Sequence, residues 1–327
     1  VSESGLEREA ERRVLVLDGA MGTELERFGL TEAAYRGSRF ADHPRPLASN
    51  HDLLVLSAPS VVLAVHRAYL EAGCDLIQTA TFNSNRFSQA AYGLESIVYE
   101  LNLRAAELAR AAVDEFSERD EARPRFVVGT LGPSPQLLGR ITLQGETSLD
   151  REAYASAYAE QARGLIDGGA DLLLLETVTC SVTLEACLLG VTRAMDQRGR
   201  RLPLSVSLAL VDERGRTPSG ETLDDFLPLL RRTELFSIGL NCSLGARAMR
   251  PQLELLGARF DGRKSVHPSA GLPGPDGRYP ETPELFSEVV SELATDRLAR
   301  IVGGCCGTTP AHLRWLAERV RALEAPG

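Results

Sequence analysis

No run of about 18 apolar residues occurs in the chain, so no transmembrane helix is expected. Residues 1–13 are charged and lack the apolar centre of a signal peptide. The net charge is only −9 over 327 residues and is spread out, which argues against a nucleic-acid partner. Six cysteines without a secretion signal do not make a disulfide framework. They point to a reducing compartment, the cytoplasm, where cysteines serve as ligands or packing. Low-complexity segments and internal repeats are missing as well. Val1 stands where an initiator methionine would, so an excised domain and a free-standing subunit are both open readings.

What is present is an alternation. Short apolar runs are separated by amphipathic stretches, in a chain that is 43% hydrophobic and 25% charged, as globular proteins are. The runs read as strands are Val14–Leu17, Leu76–Thr81, Phe126–Thr130, Leu172–Glu176, Leu204–Leu210, Phe236–Asn241, Lys264–His267 and Arg300–Gly303. Several are almost continuously apolar, as parallel strands covered on both faces are. Helical stretches fall between them at Val61–Ala72, Ser88–Phe116 (broken near Gly93), Arg151–Asp167, Ser181–Gln197, Leu223–Arg232, Ala246–Leu256, Thr282–Thr295 and Pro310–Leu323, with Asp150 and Thr282 as N-caps. Eight βα units in a chain of this length predict an α/β fold, a (β/α)₈ TIM barrel in a single domain over residues 1–327. A doubly wound open sheet is the structural alternative. Residues 1–13 form an N-terminal helical extension. Residues 24–59 form an unusually long β1–α1 loop, of the kind that serves as a lid or binding wall.

Barrel chemistry collects at the C-terminal ends of strands. Here those ends carry Asp18-Gly19-Ala20-Met21-Gly22-Thr23, Glu176-Thr177, Asn241-Cys242, His267-Pro268-Ser269 and Cys305-Cys306. Adjacent cysteines rarely bridge each other, because the small ring strains the intervening peptide. Flanking glycines instead let neighbouring sulfurs face one point. Cys242, Cys305 and Cys306 would converge at the mouth, three thiolates with an open fourth position, which describes a reactive zinc site. Zinc with three thiolates keeps a single negative charge, so a fourth, substrate thiol would be ionised yet electron-rich. Asp18 and Glu176 would bind an ammonium group or act as acid and base, and capping or pairing with loop arginines is the competing reading. Gly19 to Gly22 would offer backbone N–H groups to a carboxylate. Cys74, Cys180 and Cys187 read as packing. His267 reads as pocket wall, and His43, His51, His66 and His312 as loop or helix-surface residues.

These motifs resemble a known family. Asp18-Gly19-Ala20-Met21-Gly22-Thr23, Gly239-Leu240-Asn241-Cys242 and Gly303-Gly304-Cys305-Cys306-Gly307-Thr308 are similar to those of the zinc-dependent homocysteine S-methyltransferases, from about Val14 to Leu323. Tyr35-Arg36-Gly37-Ser38-Arg39-Phe40, the stretch from Asn50 to Ser57 and that from His267 to Pro273 narrow the likeness to the homocysteine-binding module of cobalamin-dependent methionine synthases. The resemblance implies a methyltransferase of methionine biosynthesis, with Cys242, Cys305 and Cys306 as zinc ligands. Asp18 and Glu176 would anchor the substrate ammonium, and the amides of Gly19 and Ala20 its carboxylate. It implies Zn²⁺ as cofactor and homocysteine as substrate, bound as a zinc thiolate that attacks the methyl of methylcobalamin. That donor would come from another domain or chain, and cobalamin-binding and folate-binding domains are the implied partners. No nucleic acid and no membrane are expected among the partners. Two positions depart from the synthases: Ser269 and Ala80 stand where asparagines are usual, so the resting fourth ligand is open. A sulfonium donor, S-methylmethionine or S-adenosylmethionine, is the alternative within enzymes. A non-catalytic homocysteine- or zinc-binding module and a metal-free redox barrel are the readings from other classes.

Overall fold

Parallel strands and the helices between them dominate the computed structural model, which describes residues 4–135, 150–212 and 214–324. The strands are β1 Leu15–Val16, β2 Leu76–Gln78, β3 Phe126–Leu131, β4 Leu172–Val178, β5 Leu204–Leu208, β6 Ser237–Asn241, β7 Lys264–His267 and β8 Ile301–Val302. They form one parallel sheet in the order β1-β8-β7-β6-β5-β4-β3-β2. A parallel bridge between Leu17 and Leu76 joins its two ends, so the sheet curls into a (β/α)₈ barrel and the open-sheet alternative falls. Most strands are shorter at one or both ends than their apolar runs, because the ladder stops where the backbone turns into functional loops.

The period of two sorts each strand. Val127, Leu173 and Leu175 pack outward on the helices, while Val128, Leu172 and Leu174 fill the barrel interior. That alternation aims Glu176 inward at the mouth.

Helix boundaries follow local chemistry. Pro59 occupies the first turn of Pro59–Ala72, two residues earlier than the sequence pattern suggests, and Gly73 ends it at φ 101°. The Asp150 carboxylate accepts from the Glu152 N–H, and the Thr282 hydroxyl from the Leu285 N–H, so both expected N-caps hold. The expected helix over 88–116 is interrupted: Arg86–Ala90 precedes Gly93, and Val98–Arg119 follows it.

The extension is a helix, Gly5–Arg12, started by a capping box of Ser4 and Glu7. Residues 1–3 of the extension lie outside the described residues. Its Leu6 and Ala10 close the N-terminal end of the barrel against Leu15 and Phe126. The connection 24–59 is not an open loop, for it carries short helices at Met21–Glu26, Glu32–Arg36 and Leu54–Ser57. Its Leu47, Leu53 and Leu54 are fully buried. Among the described residues, no single helix is long and apolar enough to cross a membrane. Two histidines depart from the surface placement expected of them. His66 is fully buried in Pro59–Ala72, and His312 lies buried against Phe286. Both sit on the packed face of their helices, which two isolated polar letters in an apolar pattern do not betray.

Beneath the barrel, Asp75 is fully buried. It accepts the Val16 N–H at 2.9 Å and pairs with Arg13 at 2.8 Å and Arg123 at 2.9 Å. Asp75→Ala removes the buried carboxylate that Arg13 and Arg123 share and the acceptor of the Val16 N–H, so it should lower the unfolding free energy by about 3–5 kcal/mol in a urea titration.

At the other end Asp52 docks the long connection on the strand-two loop, accepting from the Asn83 N–H at 2.7 Å and the Ser84 hydroxyl at 2.8 Å. Burial pushes its carboxyl up to about 7 against those two bonds. A raised carboxyl holds more protons folded than unfolded, so its stabilising contribution is largest below 3.8 and is lost as pH rises through about 7. Asp52→Asn should therefore flatten the decline in stability between about pH 4 and about pH 7. Equal slopes for the two proteins in denaturant titrations would contradict this.

Candidate active site

At the C-terminal mouth, β6 delivers Cys242 and the turn after β8 delivers Cys305 and Cys306. Their three sulfurs all lie within 4.8 Å of one another, and Cys242 Sγ is 3.3 Å from Cys306 Sγ. All three thiols are free. Backbone hydrogen bonds between neighbouring loops hold them there. The Cys242 N–H donates to the His267 carbonyl at 3.1 Å, Cys305 N–H to Pro268 at 2.8 Å, and Ala270 N–H to the Cys306 carbonyl at 2.9 Å. Cys242 and Ser243 both sit at φ 54°, a left-handed backbone unusual for residues with side chains and typical of strained functional turns.

Thiol hydrogen bonds from Cys305 and Cys306 push Cys242 well below the ordinary thiol range, and donating to Cys242 pushes those two up. Three sulfurs this close do not all ionise without a cation between them. A tetrahedral zinc with bonds of about 2.3 Å sets its sulfurs about 3.8 Å apart, so the cluster needs only a small rearrangement to take one. Among the described residues it is the only group of three or more histidine, cysteine or carboxylate side chains with metal-holding spacing. Ser269 is buried and points its hydroxyl at Cys242 Sγ, 3.8 Å away, so the residue in place of asparagine still faces the cluster.

The two carboxylates also reach the mouth. Asp18 Oδ2 accepts the Gln78 backbone N–H at 3.0 Å, and Oδ1 accepts the Gln78 amide at 3.1 Å. Asp18 thus extends the β1–β2 seam beyond the last strand residue. Burial drives its carboxyl well above the usual range, the Gln78 bonds oppose this, and the nearby Glu176 charge adds to the rise. Glu176 is buried and meets His267 Nε2 at 3.3 Å. Two electrostatically coupled carboxyls in one pocket favour a cationic occupant.

Gly19 has no room for a side chain, since a Cβ there would stand 2.7 Å from Thr308 Oγ1 and 2.9 Å from Tyr69. The Ala20 N–H donates to Thr308 Oγ1 at 3.2 Å, and the Tyr69 hydroxyl donates to the Ala20 carbonyl at 3.1 Å. Cys74, Cys180 and Cys187 are buried, as packing residues are.

Three supporting residues escaped the sequence reading. Asn241 accepts the Thr177 N–H at 3.0 Å and donates to the Thr177 hydroxyl at 2.8 Å, holding Thr177 at φ 57° directly after Glu176. Thr308 braces the Asp18–Thr23 turn. Tyr279 lies against Gly307, whose φ of 79° and lack of a Cβ admit the ring at a distance no side chain would allow. Burial and the charge of Cys306 push its hydroxyl up to about 12. Asn241 and Thr308 sit inside the cysteine motifs and were open to notice. Nothing local marks Tyr279, because a loop brings it over the cysteines.

The sequence model of a family described as homocysteine S-methyltransferase matches residues 15–320. Among solved structures, the chain is similar to the homocysteine methyltransferase MmuM from Escherichia coli. In the metallated form the identity is 25%, with 97% of this chain and 100% of that chain covered and a TM-score of 0.75. The oxidized form of that enzyme matches at 25% identity over 94% of this chain and 96% of that one, with a TM-score of 0.73. Barrel, cysteine cluster and family match agree, and the chain belongs to the homocysteine S-methyltransferase family.

Proposed function

We propose that this chain methylates the sulfur of homocysteine to give methionine, using a metal held by Cys242, Cys305 and Cys306. The observation that carries the reading is the meeting of three free sulfurs within 4.8 Å at the barrel mouth, beside two coupled carboxylates. Zinc, when bound, supplies the Lewis acidity that keeps an added thiol ionised at neutral pH.

The chain's own residues fix the rest of the acceptor. Glu176 and Asp18 receive its ammonium group, which relieves the repulsion between them. Gly19 and Ala20 turn their N–H groups toward its carboxylate, and at Ala20 the carboxylate shares the donor with the Thr308 hydroxyl or displaces it. The reaction is a displacement. The acceptor sulfur's lone pair forms the new S–C bond as the bond from the donor to the methyl breaks.

Methylcobalamin, carried by another domain or chain, is the donor favoured by the segments Tyr35–Phe40, Asn50–Ser57 and His267–Pro273, and it leaves as cob(I)alamin. Cobalamin-binding and folate-binding domains are the proposed partners on that reading. A sulfonium donor, S-methylmethionine or S-adenosylmethionine, leaves as a neutral thioether. It is supported by the likeness to MmuM, all of whose chain is matched by this one barrel. The six free thiols suit a reducing, cytoplasmic setting.

The test pairs zinc analysis of the reduced protein with methyl transfer to homocysteine from each of the three donors in parallel. One zinc per chain and methionine from at least one donor are expected, and the productive donor decides between the two readings. Cys305→Ala should lose zinc and reduce transfer to background. Full zinc content with full activity in that variant would overturn the proposal.

A further inference from the structure

The barrel interior is divided. Strands β1, β3, β4 and β8 fill it with Leu17, Val128, Leu172, Leu174 and Ile301, the branched side chains usual in such barrels. Strands β5, β6 and β7 point serines inward instead. Ser205 and Ser237 hydroxyls hydrogen-bond each other at 2.7 Å. Ser265 fits because Gly239 on the adjacent strand has no side chain, a Cβ there standing 2.1 Å from Ser265 Oγ. Above this layer lies His267, 1% exposed, with Nε2 on Glu176 Oε2 at 3.3 Å. Ser205, Ser237, Ser265 and His267 share with six aliphatic side chains the border of a space of about 10 Å³ on the barrel axis, whose exposed surface is apolar. Ser265 Oγ and His267 Nδ1 are both buried, and among the described residues neither has a protein partner. Buried polar atoms are costly to leave unpaired.

We propose that His267 is a positioning residue for the acceptor amino acid, acting through the buried contact of its Nε2 with Glu176. The Glu176 carboxylate accepts, so an imidazole hydrogen belongs on Nε2. The ring engages Oε2 of Glu176 at 3.3 Å and fixes the orientation of that carboxylate. Asn241 completes the arrangement by clamping Thr177, the next residue along. His267 therefore acts on ammonium recognition through Glu176 and leaves the sulfur end to the cysteines. The inference rests on the reading that Glu176 binds the substrate ammonium.

The experiment measures acceptor binding by calorimetry on the reduced, zinc-loaded full chain. The acceptors are homocysteine and 4-mercaptobutyrate, the same thiol acid without the amine. His267→Phe should weaken homocysteine about tenfold, the worth of one hydrogen bond to a charged group. It should leave 4-mercaptobutyrate affinity and zinc content unchanged. His267→Gln, which keeps an N–H for Glu176, should restore most of the loss. In ¹⁵N spectra of histidine-labelled protein, His267 should show the Nε2–H tautomer. Equal weakening of both acceptors, loss of zinc, or an Nδ1–H tautomer would overturn the proposal in favour of a packing role. Glu176→Gln separates the two levels. If it leaves homocysteine affinity unchanged, the ammonium reading falls and the proposal with it. If it weakens homocysteine while His267→Phe does not, only the proposal falls.

Discussion

The mouth of this barrel depends on a short seam of backbone hydrogen bonds between the ends of β1, β8, β7 and β6. The Gly304 N–H donates to the Asp18 carbonyl at 3.1 Å, Cys305 to Pro268 at 2.8 Å, and Cys242 to His267 at 3.1 Å. Each bond ties a loop that carries one functional residue to a loop that carries another. The three sulfurs therefore meet through main-chain geometry, which is stiffer than side-chain packing, and the strained turn at Cys242 and Ser243 is held by the same bonds. Gly303 and Gly304 make the seam possible, since a side chain at either would run into Leu17 or Thr308.

Electrostatics at the two ends of the barrel are built on opposite terms. At the bottom, Asp75 is matched by arginines and serves stability alone. At the top, the Glu176 charge raises the Asp18 carboxyl further, Cys242, Cys305 and Cys306 compete for protons, and among the described residues no lysine or arginine forms an ion pair with Asp18 or Glu176. The mouth is thus short of positive charge by construction. On the proposed reading, a divalent metal at the sulfurs and an ammonium at the carboxylates would answer the two deficits, and an amino acid with a thiol side chain would join them in one molecule. Mismatched charge of this kind is a mark of functional sites, where local energy is given up for binding.

The barrel was legible because its signal is repeated many times. Alternating apolar runs and amphipathic stretches placed every strand within a few residues, and Gly73, Asp150 and Thr282 marked helix ends through local backbone preferences that need no tertiary context. The connection 24–59 was less legible. Its short helices are stabilised by burying Leu47, Leu53 and Leu54 and by the Asp52 contacts to Asn83 and Ser84, none of which local propensity encodes. His66 and His312 were misplaced for the same reason: which face of a helix is covered is settled by neighbours distant in sequence.

The sequence by itself determined the fold class and placed three cysteines and two carboxylates at strand ends. Each of these follows from residue type and strand periodicity, and all parallel strands end at one mouth. Only the tertiary structure decided that Asp18 doubles as a link in the β1–β2 seam. It also decided that Asn241 clamps the turn after Glu176, that Tyr279 roofs the cysteines, and that His267 stands between Glu176 and a layer of serines. These are relations among side chains from different strands. They depend on barrel register and on how neighbouring interiors fill, as with Asn241 opposite His267. That information appears only once the strands are side by side.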